Sequence, residues 1–125
     1  MSTRILIIED NPTHLELMTY LLSAYGHSVG AAESGSRALD ALNRERPDLI
    51  LCDVQLPDID GFGIARRLKS HPEFRSIPLV AVTALAMAGD CDRLIAAGFD
   101  GYLSKPIDPE KFVQQMELFL TNRCR

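Results

Sequence analysis

Asp53, the acidic pair Glu9-Asp10, Thr83 and Lys105 are the side chains of this 125-residue chain best suited to phosphoryl chemistry. Asp53 follows the apolar run Leu49-Ile50-Leu51-Cys52, and Glu9-Asp10 follows Ile5-Leu6-Ile7-Ile8. Such short runs read as strands buried on both faces, so these carboxylates emerge where strands give way to loops. Ligands of open α/β sheets bind at that carboxyl edge. Two like charges about 4 Å apart cost roughly 1 to 4 kcal/mol in water-like to surface-like surroundings. Three carboxylates gathered there call for a cation, and hard oxygen donors suit Mg²⁺, with Mn²⁺ as a substitute. A carboxylate can also attack phosphorus to give an aspartyl-phosphate. Lys105 would supply positive charge to the transferring oxygens and Thr83 a hydroxyl donor. Ala84 leaves room beside them.

Each residue has a plainer role when taken alone. A strand-end Asp can be a turn or cap, Glu9-Asp10 can favour a helix start, and Lys105 can be a solvated charge. Asp58 and Asp60 read as turn residues, with Gly61 expected at positive φ. Accident does not readily put acid pair, acid, hydroxyl and lysine at successive strand ends. His14, His27 and His71 are expected at the surface, with His14 beside the acidic edge.

The elements that must position these groups alternate along the chain. Strands are predicted at Arg4–Ile8, Ser28–Ala32, Leu49–Cys52, Leu79–Val82 and Gly101–Ser104. Helices are predicted at Pro12–Tyr25, Gly35–Glu45, Phe62–Ser70, Asp90–Ala97 and Pro109–Leu120. In the first helix Leu15, Met18, Leu22 and Tyr25 recur at helical spacing, between Asn11-Pro12 as start and Gly26 as stop. In the last, Asp108 is the expected cap and Phe112, Val113, Met116 and Leu120 the apolar stripe. The fourth helix is expected to be weak, because Gly89 interrupts it and Asp90 would cap a fresh start. Strand–helix units with short connections imply parallel strands and right-handed crossovers, hence one doubly wound (βα)5 domain over 1–125 with its core at about 3–120.

A formal charge of −4 and a pI near 5.3 argue against a nucleic-acid partner. No apolar stretch reaches membrane-spanning length, so no membrane partner is expected. Three cysteines without paired spacing suit reduced thiols and a cytoplasmic location. The chain opens with Met and is expected to stand alone rather than to be a piece of a hybrid kinase.

With these residues in hand, the whole chain resembles a response-regulator receiver domain of two-component signalling. The likeness rests on Ile7-Ile8-Glu9-Asp10-Asn11, on Leu51-Cys52-Asp53-Val54-Gln55-Leu56-Pro57-Asp58-Ile59-Asp60-Gly61, on Val82-Thr83-Ala84 and on Ser104-Lys105-Pro106. It is similar in particular to single-domain receivers and to those attached to hybrid kinases. The resemblance implies a five-stranded parallel sheet in the order 2-1-3-4-5. It implies that Asp53 accepts a phosphoryl group from a phosphohistidine of a sensor kinase or phosphotransfer protein. Glu9, Asp10, Asp53 and the backbone carbonyl of Gln55 would hold Mg²⁺, and Thr83 and Lys105 would contact phosphoryl oxygens. Thr83 and Tyr102 would switch, changing a downstream partner's docking face on the fourth helix, fifth strand and fifth helix. A phosphorylation-dependent dimer through that face is compatible with this. The peptide bond before Pro106 would be cis. Leu85, two residues after Thr83, offers no hydrogen bond to a hydrolytic water, so slow self-dephosphorylation is expected.

The chain would thus catalyse only its own phosphorylation and dephosphorylation, and would not be an enzyme towards free substrates. A haloacid-dehalogenase-type phosphatase would need an acid where Gln55 stands. A flavin carrier would need a phosphate loop where Glu9-Asp10-Asn11 would repel it. A degenerate receiver would lack some site residue, and here every position is filled.

Overall fold

The computed structural model describes residues 3–56, 60–84 and 88–122. Five strands, β1 (Arg4–Ile8), β2 (Ser28–Ala32), β3 (Leu49–Cys52), β4 (Leu79–Thr83) and β5 (Gly101–Ser104), alternate with five helices. The helices are α1 (Pro12–Ala24), α2 (Gly35–Arg44), α3 (Gly61–Ser70), α4 (Ala88–Ala97) and α5 (Phe112–Asn122). The strands form one parallel sheet in the order β2-β1-β3-β4-β5. The three central strands are apolar but for Arg4 at the start of β1 and Thr83 at the end of β4, because helices cover both of their faces.

Strand periodicity divides the core into two layers. Ile5, Ile7, Leu49, Leu51, Val80, Val82 and Leu103 face Met18 and Leu22 of α1 and Phe112, Val113 and Met116 of α5. Leu6, Ile8, Ile50, Cys52, Leu79 and Ala81 face α2, α3 and α4 through Ala38, Leu42, Ile64, Leu68 and Leu94. Successive side chains of a strand point to opposite faces, so this split follows from the strands being single apolar runs.

Helix starts obey local chemistry. Asn11 Oδ1 accepts from the N–H groups of Thr13 and His14 at 2.9 and 3.2 Å, with Pro12 behind it. Asp60 Oδ1 accepts from the Gly63 N–H at 2.8 Å, so it caps α3 rather than serving only the turn. Gly26 ends α1 at φ 86°.

Several expectations need correction. Gly61 is not in the left-handed region. It is glycine because a Cβ would lie 2.6 Å from Val54 Cα and 2.8 Å from Asp53 O. Tyr25 does not join the α1 stripe; it caps the helix and is 65% exposed. Gly89 lies in the first turn of α4 rather than before a fresh start at Asp90, since α4 already begins at Ala88. Asp108 does accept from the Glu110 N–H at 3.0 Å, but it caps a preliminary turn and α5 proper starts at Phe112. His27 is not a surface group: its side chain is 9% exposed and pairs with Glu117 of α5 at 3.2 Å. Leu85, Asp58 and Cys124 lie outside the described residues, as do the expectations attached to them.

Candidate phosphoryl-transfer site

Parallel pairing brings the strand ends together. The Asp53 N–H donates to Ile8 O at 2.9 Å and the Glu9 N–H to Ala32 O at 2.9 Å, which carries the ladder one residue beyond β1 and β3. The Lys105 N–H donates to Thr83 O at 2.9 Å in the same way beyond β5. Glu9, Asp53, Thr83 and Lys105 therefore stand along one carboxyl edge, with Asn11, the N-cap of α1, directly after Asp10.

Oxygen atoms of Glu9, Asp10 and Asp53 lie within 4.8 Å of one another. Glu9 and Asp53 are buried, whereas Asp10 is exposed. Lys105 joins the cluster: its Nζ donates to Glu9 Oε1 at 2.7 Å and to Asp53 Oδ2 at 3.2 Å. Its third neighbour is His14 Nδ1 at 3.1 Å. Asp53 Oδ1 accepts from the Gln55 N–H at 3.0 Å, and Glu9 Oε2 from the Asn11 N–H at 3.2 Å. The two buried carboxylates are thus held by backbone as well as by lysine.

Burial dominates the electrostatics of Glu9. Taking its carboxyl out of water raises its pKa to about 7, against the lowering effect of the Lys105 hydrogen bond. Burial alone would lower the pKa of Lys105, but Glu9 and Asp53 outweigh it and the net shift is upward. The buried Cys52 thiol is pushed up, first by desolvation and then by Asp53, so it is an inert packing group.

Three carboxyl groups face one ammonium here, an acidic excess that a divalent cation with a hard-oxygen preference would balance. The donor set fits Mg²⁺. Thr83, the last residue of β4, is buried at 1% exposure, and Ala84 beyond it is exposed. Tyr102 pairs with Ala81 in the sheet register and is 38% exposed. The Lys105–Pro106 bond is cis. The sequence reading brought together every group of this cluster except two contacts. It did not foresee that Asn11 would bind Glu9 while also capping α1, nor that His14 would reach Lys105. Spacing of residue types carries no signal for either.

A family model described as the response regulator receiver domain matches residues 5–117. The chain is 39% identical over 120 residues to the polar-differentiation response regulator DivK of Brucella ovis, covering 96% of this chain and 98% of that one. Among solved structures, it is similar to the receiver domain of a signal transduction histidine kinase from Syntrophus aciditrophicus. That likeness has a TM-score of 0.88 and 32% identity, over 97% of this chain and 92% of the other. The receiver domain of a sensor histidine kinase from Pseudomonas aeruginosa is similar too, with a TM-score of 0.87 and 30% identity over 97% and 99% of the two chains. In that structure a magnesium ion is coordinated in the active-site cleft. An acidic cluster at the carboxyl edge of a 2-1-3-4-5 sheet agrees with these likenesses, and the chain belongs to the response-regulator receiver domains of two-component signalling.

Proposed function

We propose that this receiver domain is a phosphorylation-driven switch in which Asp53 accepts the phosphoryl group. The observation that carries this reading is the placement of a buried Asp53 between two other acids and Lys105 Nζ at 3.2 Å. An Asp53 oxygen attacks phosphorus of a phosphohistidine on a kinase or phosphotransfer protein. The P–O bond forms as the P–N bond breaks, and the imidazole nitrogen leaves with the electron pair. The Gln55 N–H fixes the orientation of the attacking carboxylate. Lys105 exchanges its Asp53 contact for a phosphoryl oxygen, and the Thr83 hydroxyl donates to another. Glu9, Asp10, Asp53 and the Gln55 carbonyl would hold Mg²⁺, which when bound offsets negative charge on the phosphoryl oxygens. The magnesium in the similar Pseudomonas cleft supports that assignment.

Drawing Thr83 towards the phosphoryl group would let Tyr102 swing inward and alter the face made by α4, β5 and α5, where a downstream protein docks. The domain turns over no free substrate, and its loss of phosphate is slow. No helix among the described residues is long and apolar enough to cross a membrane.

Intact mass after incubation with acetyl phosphate and Mg²⁺, beside Asp53→Asn, tests the reading. One phosphoryl adduct on the wild type alone, lost over minutes or longer, is expected. No adduct under conditions that load an active receiver would refute it.

A further inference from the structure

We infer that His14 is a positioning residue for phosphoryl transfer, a neutral acceptor that holds the Lys105 ammonium at the cleft without cancelling its charge. This rests on the phosphotransfer reading of Asp53. An ammonium has three N–H donors and no lone pair, so the 3.1 Å contact to His14 Nδ1 requires that nitrogen to accept, with the ring proton on Nε2. The three neighbours of Lys105 Nζ then match its three donors: Glu9 Oε1, Asp53 Oδ2 and His14 Nδ1. Two of these belong to the acidic cluster that would hold a cation and carry charge that compensates the lysine. His14 alone of the three does neither. It lies in the first turn of α1, where Asn11 Oδ1 accepts from its backbone N–H at 3.2 Å, so its place is set by a capped helix. A preorganised donor acts best when nothing has to rearrange as charge develops on the phosphoryl oxygens, and a neutral partner leaves the full positive charge available.

The test compares wild type, His14→Ala, His14→Asn and His14→Asp for phosphorylation by phosphoramidate with Mg²⁺, followed by intact mass. Asn and Asp each put an oxygen on the same branch of Cγ as Nδ1, one neutral and one charged. The Ala variant is expected to react about tenfold more slowly and Asn to stay within about twofold of wild type, the scale of one hydrogen bond to a charged group. The Asp variant should be slow although its acceptor is in place. Independently of the reaction, ¹⁵N spectra of the metal-free protein should show Lys105 Nζ protons that exchange slowly in wild type and Asn but fast in Ala. Wild-type rates in Ala or Asp, or a slow Ala variant that Asn does not rescue, would overturn the inference while leaving Asp53 as acceptor. An unphosphorylated wild type would overturn both.

Discussion

Glu9 carries a proton-linked cost. At 1% exposure its carboxyl is raised to about 7 from an ordinary 4.5, chiefly by burial. Between those values the folded state holds a proton that the unfolded chain has released, so stability contributed here falls as pH rises from 4.5 through 7. Removing the charge should therefore stabilise the metal-free protein on the alkaline side. Glu9→Gln is expected to gain on the order of 2 kcal/mol at pH 8, with the gain vanishing near pH 4. Urea unfolding at the two pH values measures this, and a variant less stable than wild type at pH 8 would sink it. That Glu9, Asp10, Asp53 and Lys105 gather at one edge was legible in the sequence, because strand ends and acid pairs have local signatures. Their mutual contacts were not. His14 and His27 were both expected at the surface, His14 beside the acidic edge, yet one meets Lys105 and the other turns a largely covered side chain to Glu117 of a helix far along the chain. Gly61 was read as a turn glycine, whereas what forbids a side chain there is the backbone of Asp53 and Val54.

At the scale of elements, one polar junction ties α3 to the far half of the sheet. Lys69 near the end of α3 donates to Asp100 Oδ2 at 2.9 Å and to the carbonyls of Arg75 and Ile77 at 3.2 Å each. Asp100 Oδ2 also accepts from the Leu79 N–H at 2.7 Å, at the first residue of β4. Gly98 lets the chain pass, since a Cβ there would lie 2.7 Å from Lys69 Cγ. Asp100→Ala would strand the Leu79 N–H and loosen the lysine, and should cost about 2 kcal/mol. A denaturant midpoint unchanged from wild type would refute that. The elements themselves could be read from periodicity, because four-residue apolar runs and three-to-four-residue stripes differ. Their ends were set by contacts that periodicity does not carry. Tyr25 keeps helical spacing but falls past the last turn of α1, and α4 begins at Ala88 with Gly89 in its first turn.

For the molecule as a whole, the strand order came from family resemblance, since local pattern does not say which strands are neighbours. That order puts β1 and β3 side by side at the centre, and so brings the acids of residues 9, 10 and 53 together. A cation that binds only this assembled edge must stabilise the fold by linkage, by about 2.7 kcal/mol at a concentration 100 times its Kd. Mg²⁺ is expected to raise the melting temperature of the wild type, and less so that of Asp10→Ala or Asp53→Asn. Melting curves that Mg²⁺ leaves unmoved would count against the site. The close approach of Gly61 to β3 reaches further than the choice of one small residue. Its N–H donates to Val54 O at 2.7 Å, so the segment leaving Asp53 is pinched shut where α3 begins. A loop closed at its neck can change length or composition at little entropic cost. Changes of sequence between Leu56 and Asp60 are therefore expected to leave Asp53 in register with Ile8.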